Sequence, residues 1–188
     1  MFIQTEATPN PQTLKFIPGK PVLPDGTADF RASDDAGDSP LAKRLFEIDG
    51  VTGVFLGSDF ISVTKGAPEW QHLKPMILGA IMEHYMSGAP LVATGGHTHE
   101  AAGHEGEDFD EKDAETVDII KDLIETRVRP AVAGDGGDIT FRGYREGVVF
   151  LQMKGACSGC PSSTATLQHG IQNLIKHFVP EVVEIRPV

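Results

Sequence analysis

The sequence predicts an α+β protein: two small α+β domains joined by a flexible linker, the C-terminal one in the order α-β-β-α-β. Three observations lead there. Short strand-like runs mix with helical periodicity at both ends of the chain, and periodicity disappears across residues 88–108. The 188 residues, 40% of them hydrophobic, suffice for one or two modest cores and carry too much apolar material for a disordered chain.

Residues 1–87 read as the first domain. Residues 2–6 and 13–17 are strand candidates on either side of Thr8-Pro9-Asn10-Pro11, and 18–38 are rich in turn residues. Ser39 followed by Pro40 reads as an N-cap and a first-turn proline. Leu41, Leu45, Phe46 and Ile48 continue that helix, and Asp49-Gly50 ends it. Strands at 51–56 and 60–65 form a hairpin around Gly57-Ser58-Asp59. Trp70, Leu73, Ile77, Ala80, Ile81 and His84 recur at helical spacing, with Pro75 early in the helix or kinking it. Trp70 and Met76 are expected to pack in this core.

Residues 88–108, rich in Gly, Ala, His and acid, read as the flexible linker. Residues 109–188 form the second domain. Ala114, Val117, Ile120, Ile124 and Val128 make one apolar stripe, and Pro130 is expected to close that helix. Residues 134–138 are a turn, and 139–142 and 148–153 are strands. A loop at 155–159 carries the first cysteine. Pro161 opens a helix whose buried face is Leu167, Ile171, Leu174, Ile175 and Phe178, and residues 182–185 are a last strand.

The net charge is −11, all of it in residues 1–129, while 130–188 are balanced. No basic stripe with interleaved aromatics exists to overcome that field, so nucleic acid is not an expected partner. No run of 18 apolar residues is present, and no membrane-spanning helix is expected. The opening MFIQTEATPNP has neither a basic n-region nor an apolar h-region, and it lacks the Arg-rich, acid-poor look of an organelle transit peptide, so a cytoplasmic location is expected.

The chain has two cysteines, Cys157 and Cys160, in Lys154-Gly155-Ala156-Cys157-Ser158-Gly159-Cys160-Pro161. Thiols at i and i+3 in a glycine-containing loop can point at one metal ion. Cys160 falls at a helix N-terminus, whose dipole favours thiolate, and Lys154 adds positive charge. A lowered thiol pKa is therefore expected. A pair of partly buried cysteines with no ligand is one alternative, but loop-borne thiols beside glycines serve no obvious packing purpose. A thiol–disulfide oxidoreductase is an alternative, but only 28 residues follow Cys160, too few for a thioredoxin-like sheet. Metal or cluster sites usually need about four protein ligands. One chain supplies two cysteines, so the rest come from histidines, small thiols or a second copy across a two-fold axis. A structural zinc site is a further alternative.

Residues 109–188 resemble the NifU-like (Nfu) family of iron–sulfur cluster scaffolds and carriers. The resemblance rests on Val128-Arg129-Pro130, Asp135-Gly136-Gly137-Asp138-Ile139, the Gly155–Ser163 cysteine segment and Pro180-Glu181-Val182-Val183-Glu184. Residues 1–87 resemble the family's N-terminal domain through Thr8–Pro11, Leu14-Lys15-Phe16 and Phe46–Val51. The resemblance implies a non-enzymatic carrier. It implies a [4Fe-4S] cluster bound through Cys157 and Cys160 in a cluster-bridged homodimer, with [2Fe-2S] or zinc as alternatives. Upstream assembly proteins would donate the cluster and apo iron–sulfur proteins would receive it.

His97, His99 and His104 stand beside linker acids and could bind Zn²⁺ or Ni²⁺ weakly, but read better as a solvated segment. His169 lies roughly 13 Å beyond Cys160 along a helix, too far to share its metal. His177 suits the helix C-terminus. The 134–138 turn lacks a Gly-Lys-Ser/Thr ending, which argues against nucleotide.

Overall fold

The structure is a computed structural model that describes residues 1–24, 26–92, 107–157 and 161–188, leaving aside the side chains of 161–164. The chain divides into two compact units, Met1–Ala101 and Ala102–Val188. Their buried cores share no residue.

In the first unit, strands β1 (Gln4–Ala7), β2 (Thr13–Ile17), β3 (Ala28–Phe30), β4 (Val51–Leu56) and β5 (Ile61–Lys65) form one antiparallel sheet in the order β1-β2-β5-β4-β3. Alternation puts Phe16, Ile61, Val63, Val54 and Leu56 into the core. There they meet Leu41 and Leu45 of helix α1 (Pro40–Phe46) and Leu73, Ile77 and Ile81 of α2 (Trp70–Ser87). Ser39 caps α1 as expected: its Oγ accepts the Ala42 N–H at 3.1 Å and donates to the Leu91 carbonyl at 2.6 Å. The Gly57 N–H donates to the Phe60 carbonyl at 2.9 Å to close the β4–β5 hairpin. A Cβ on Gly57 would overlap the Phe60 ring.

Two features depart from the expectation. β3 and a 3-10 helix at Ser33–Asp38 occupy the segment read as turns. Three residues are too few to show a period, and β3 owes its existence to pairing with β4 (Ala28↔Leu56, Phe30↔Val54). Trp70 does pack on the core and donates its indole N–H to the Pro11 carbonyl, but Met76 is 48% exposed on the outer face of α2.

His84 of α2 is buried, and its Nε2 has no hydrogen-bond partner among the described residues. Desolvation first, then the Arg44 charge, hold its imidazole below the ordinary 6.5, against a small opposing effect of the Ala89 backbone. The unfolded chain therefore takes up this proton before the folded one does. The first unit should hold full stability above about pH 6.5 and lose it as pH falls towards the folded value. Denaturant titrations across that window check this, and His84→Leu should flatten the slope.

The second unit has a four-stranded sheet in the order β6-β7-β8-β9: β6 (Asp108–Phe109), β7 (Gly137–Arg145), β8 (Val148–Gly155) and β9 (Glu184–Pro187). β7 and β8 are antiparallel; the two outer pairings are parallel. Ile139, Phe141, Val149, Leu151, Met153 and Ile185 pack on Val117, Ile120 and Leu123 of α3 (Ala114–Leu123) and on Ile171 and Ile175 of α5 (Pro161–Phe178). The α-β-β-α-β order is present, with β6 added at the edge. The last strand lies two residues beyond its expected start. Phe178, expected in the buried face of α5, is 46% exposed under the Arg127 guanidinium, 5.1 Å from its ring.

Pro130 does not close the first helix of this unit. The helix passes through a π turn (Ile124–Val128) and resumes as α4 (Arg129–Gly134). Proline has no N–H to return to Thr126, and the turn widens so that the Arg129 N–H reaches the Ile124 carbonyl. The Thr126 hydroxyl donates to the Asp122 carbonyl at 2.7 Å. Among the described residues no helix is long and apolar enough to cross a membrane.

Candidate metal centre

β8 delivers Cys157. The strand ends at Gly155, which takes φ +67°, and the Ala156 N–H donates to the Gly136 carbonyl at 3.2 Å. This folds the chain back across the start of β7, where Gly137 pairs with Gly155 and Asp138 with Lys154. Cys157 is 5% exposed and belongs to the core of the second unit. Its sulfur lies against Gly137. A Cβ built on that glycine would be 2.8 Å from Sγ and 2.6 Å from the Lys154 carbonyl oxygen. Only a residue without a side chain leaves room for the thiol there.

The electrostatics differ from the expectation of a lowered thiol pKa. Burial first, then the carboxylates of Asp135 and Asp138, push Cys157 from 9.0 up to about 12. Cys157 sits at a strand end among core side chains, where desolvation of the anion dominates. Cys160 lies outside the described residues, as do His97, His99 and His104 and the linker segment 93–106. His169 and His177 are exposed on α5, and the His177 ring meets Phe178 edge-on. Among the described residues, no group of three or more His, Cys, Asp and Glu side chains is placed to hold a metal.

Two side chains at the start of β7 and of α4 form an ion pair that composition and spacing did not single out. Asp138, 5% exposed, accepts the Arg129 Nε–H at 2.8 Å and an Nη2–H at 3.0 Å, while its Oδ1 also accepts the Ile139 N–H at 2.8 Å. Arg129 Nη1 donates to both oxygens of Glu125 at 2.8 and 2.9 Å. These ion pairs hold the guanidinium firmly charged. Glu125 and Arg129 are an i,i+4 pair legible in the sequence. The pairing with Asp138 requires the π turn and the β7 register.

Residues 3–88 match the scaffold protein Nfu/NifU N-terminal family, and residues 120–186 match the NifU-like domain. Over the whole chain, the sequence is 50% identical to the NFU1 iron-sulfur cluster scaffold homolog, mitochondrial, of Homo sapiens, covering 72% of that protein. The chain belongs to the Nfu family of iron–sulfur cluster scaffold proteins. It is 52% identical to NifU-like protein 4, mitochondrial, of Arabidopsis thaliana, with 97% of this chain and 64% of that protein covered. The chain thus spans about two thirds of the length of these relatives. A solution structure of a NifU-like protein from Saccharomyces cerevisiae aligns over 49% of this chain and 84% of its own, at 25% identity and a TM-score of 0.45. The mitochondrial names of the relatives overturn the expectation of a cytoplasmic protein. The n- and h-regions bear on secretion alone, and the composition of the first residues is a weak guide to organelle targeting.

Proposed function

We propose that this Nfu-family protein is a non-enzymatic carrier whose cargo is a [4Fe-4S] cluster held between two copies of the chain by Cys157 and Cys160 of each, and handed to apo iron–sulfur proteins. The division into 1–87, 88–108 and 109–188 belongs to this reading: the last segment binds the cluster and the first recognises donor or client. The carrying observation is stoichiometric. The chain has two cysteines, spaced to serve one metal site, and they supply half of a four-thiolate set. A two-fold contact completes the set, and a site shared between chains opens more readily than one enclosed in a single core. The mitochondrial names of the relatives favour a mitochondrial setting over a cytoplasmic one.

Cys157 suits this role better than redox catalysis. A thiol at about 12 is almost wholly protonated at neutral pH and is a poor attacking nucleophile. Iron supplies the compensation that burial withholds: the thiol loses its proton as it binds metal, and weakened iron–sulfur bonds release it again. Client thiols can then displace it, with the proton returning to Cys157.

Anaerobic reconstitution of the full chain with iron and sulfide tests the reading. The expected product has about two irons per chain, twice the mass of one chain, and a broad absorption band near 400 nm. Cys157→Ala and Cys160→Ala should each abolish it. A filled form with the mass of one chain and no added thiol overturns the shared site. A colourless chain that keeps zinc through client challenge favours the structural zinc alternative.

A further inference from the structure

His84 lies on the last turn of α2, 1% exposed, and its Nε2 has no hydrogen-bond partner among the described residues. Arg44 of α1 is the charged group that acts on it. The Arg44 Nη1, 3.3 Å from Glu83 Oε2, is itself buried and makes no hydrogen bond. On its own helix the imidazole is flanked by Glu83, whose side chain is 75% exposed, and by Tyr85, whose ring meets it edge-on at 6.1 Å. Residues 88–92 lead from the end of α2 back to the N-terminus of α1 as a short strap. Gly88 turns the chain at φ +68°. The Ala89 N–H donates to Ser87 Oγ at 3.3 Å, and that hydroxyl donates to the His84 carbonyl at 2.6 Å. The Ala89 backbone also reaches the imidazole as a hydrogen-bond partner. At the far end the fully buried Ser39 donates to the Leu91 carbonyl, and Leu91 and Val92 pack on the core. The strap itself has no titratable side chain.

We propose that residues 88–92 are a pH-operated latch: with His84 neutral the strap stays docked, and a proton on Nε2 frees it from the first unit while the sheet and both helices stay folded. Protonation gives a buried N–H with no acceptor and a second cation near Arg44. Water relieves both, and it can reach the imidazole by unfolding of the unit or by lifting of the strap. Lifting breaks less: a few hydrogen bonds and the contacts of two partly buried side chains, against the whole core between sheet and helices. Release shortens the docked part of the first unit to Ser87.

NMR of the full chain between about pH 8 and about pH 4.5 tests this. It reads the His84 imidazole, the Leu91 and Val92 methyls, and the Ile77 and Ile81 methyls of α2 as a control for global unfolding. As the imidazole takes up its proton, the strap methyls should move to unfolded-chain positions with the control methyls in place. The ratio of open to docked strap should grow by up to about tenfold per pH unit. His84→Leu should keep the strap docked across the range. Arg44→Met removes the neighbouring cation and should carry both the imidazole and the strap midpoints to higher pH. Leu91→Gly weakens docking, and by reciprocity should return the imidazole towards its ordinary 6.5.

Strap methyls that stay in place while His84 becomes charged overturn the proposal. So do strap methyls that move only together with Ile77 and Ile81, or an imidazole that remains neutral until the unit unfolds. A His84→Leu strap that opens at the same pH has the same force. If His84→Leu does not fold, Arg44→Met decides, and a strap midpoint that it leaves unmoved overturns the latch.

Discussion

Gly137→Ala should cost the second unit about 1–3 kcal/mol and strip it of most of its ability to retain metal. The added methyl would lie 2.6 Å from the Lys154 carbonyl and 2.8 Å from the Cys157 sulfur. The first neighbour is backbone of the partner strand and the second is a candidate ligand, so neither is a flexible side-chain tip. Relief requires β7 and β8 to part where Gly137 faces Gly155, or Cys157 to leave its seat. Either movement disturbs the turn at Gly155 and the Ala156 N–H···O=C Gly136 bond. Gly134→Ala is the control. It lies at the end of α4, where a Cβ meets nothing within 4 Å. Its effect should be within about 0.5 kcal/mol, or mildly stabilising through the unfolded chain. The measurements are denaturant titration of the second unit and the rate of metal loss to a chelator. A Gly137→Ala protein as stable and as retentive as the Gly134→Ala protein would refute the close-packing account.

Phe16→Ala should remove about 3–5 kcal/mol from the first unit, enough to lower its melting point by about 15 °C or more. Phe16 is fully buried near the end of β2, paired with Ile61, and its ring fills the layer between the sheet and the helices. Truncation leaves a cavity which Leu41, Leu45 and Ile77, themselves fully buried, can fill only in part. The second unit has its own core, with no residue in common. Calorimetry of the full chain should therefore show one transition displaced and the other in place, with the metal uptake proposed for Cys157 and Cys160 preserved. A single transition that falls as a whole, or loss of metal uptake alongside it, would show the two units folding as one and overturn the expectation.

Local chemistry made much of the fold legible. Ser39-Pro40 announces α1 because a hydroxyl that accepts an N–H and a ring that fixes φ act within one turn. Leu73, Ile77, Ile81 and His84 recur at helical spacing and form the buried face of α2. The Gly57–Asp59 hairpin and the β7–β8 pair are similarly local. Less visible were β3 and β6, which are too short for a period and exist through pairing with distant or non-adjacent segments. Pro130 misled for a related reason. Its local rule ends helices, but Ile124, Val128 and Val132 bury enough apolar surface to carry the helix past it at the expense of a π turn.

By itself, the sequence determined that this protein has two α+β units and that its two thiols lie within four residues of one another. Composition, spacing and count along the chain are enough for those statements. Tertiary structure alone decided that Cys157 is a buried thiol seated on Gly137 rather than an exposed thiolate, and that Arg129 is clamped to Asp138. Both depend on the register of β7 against β8. Desolvation and Coulomb energies follow distance through space, which the order of residues does not reveal until the strands have paired.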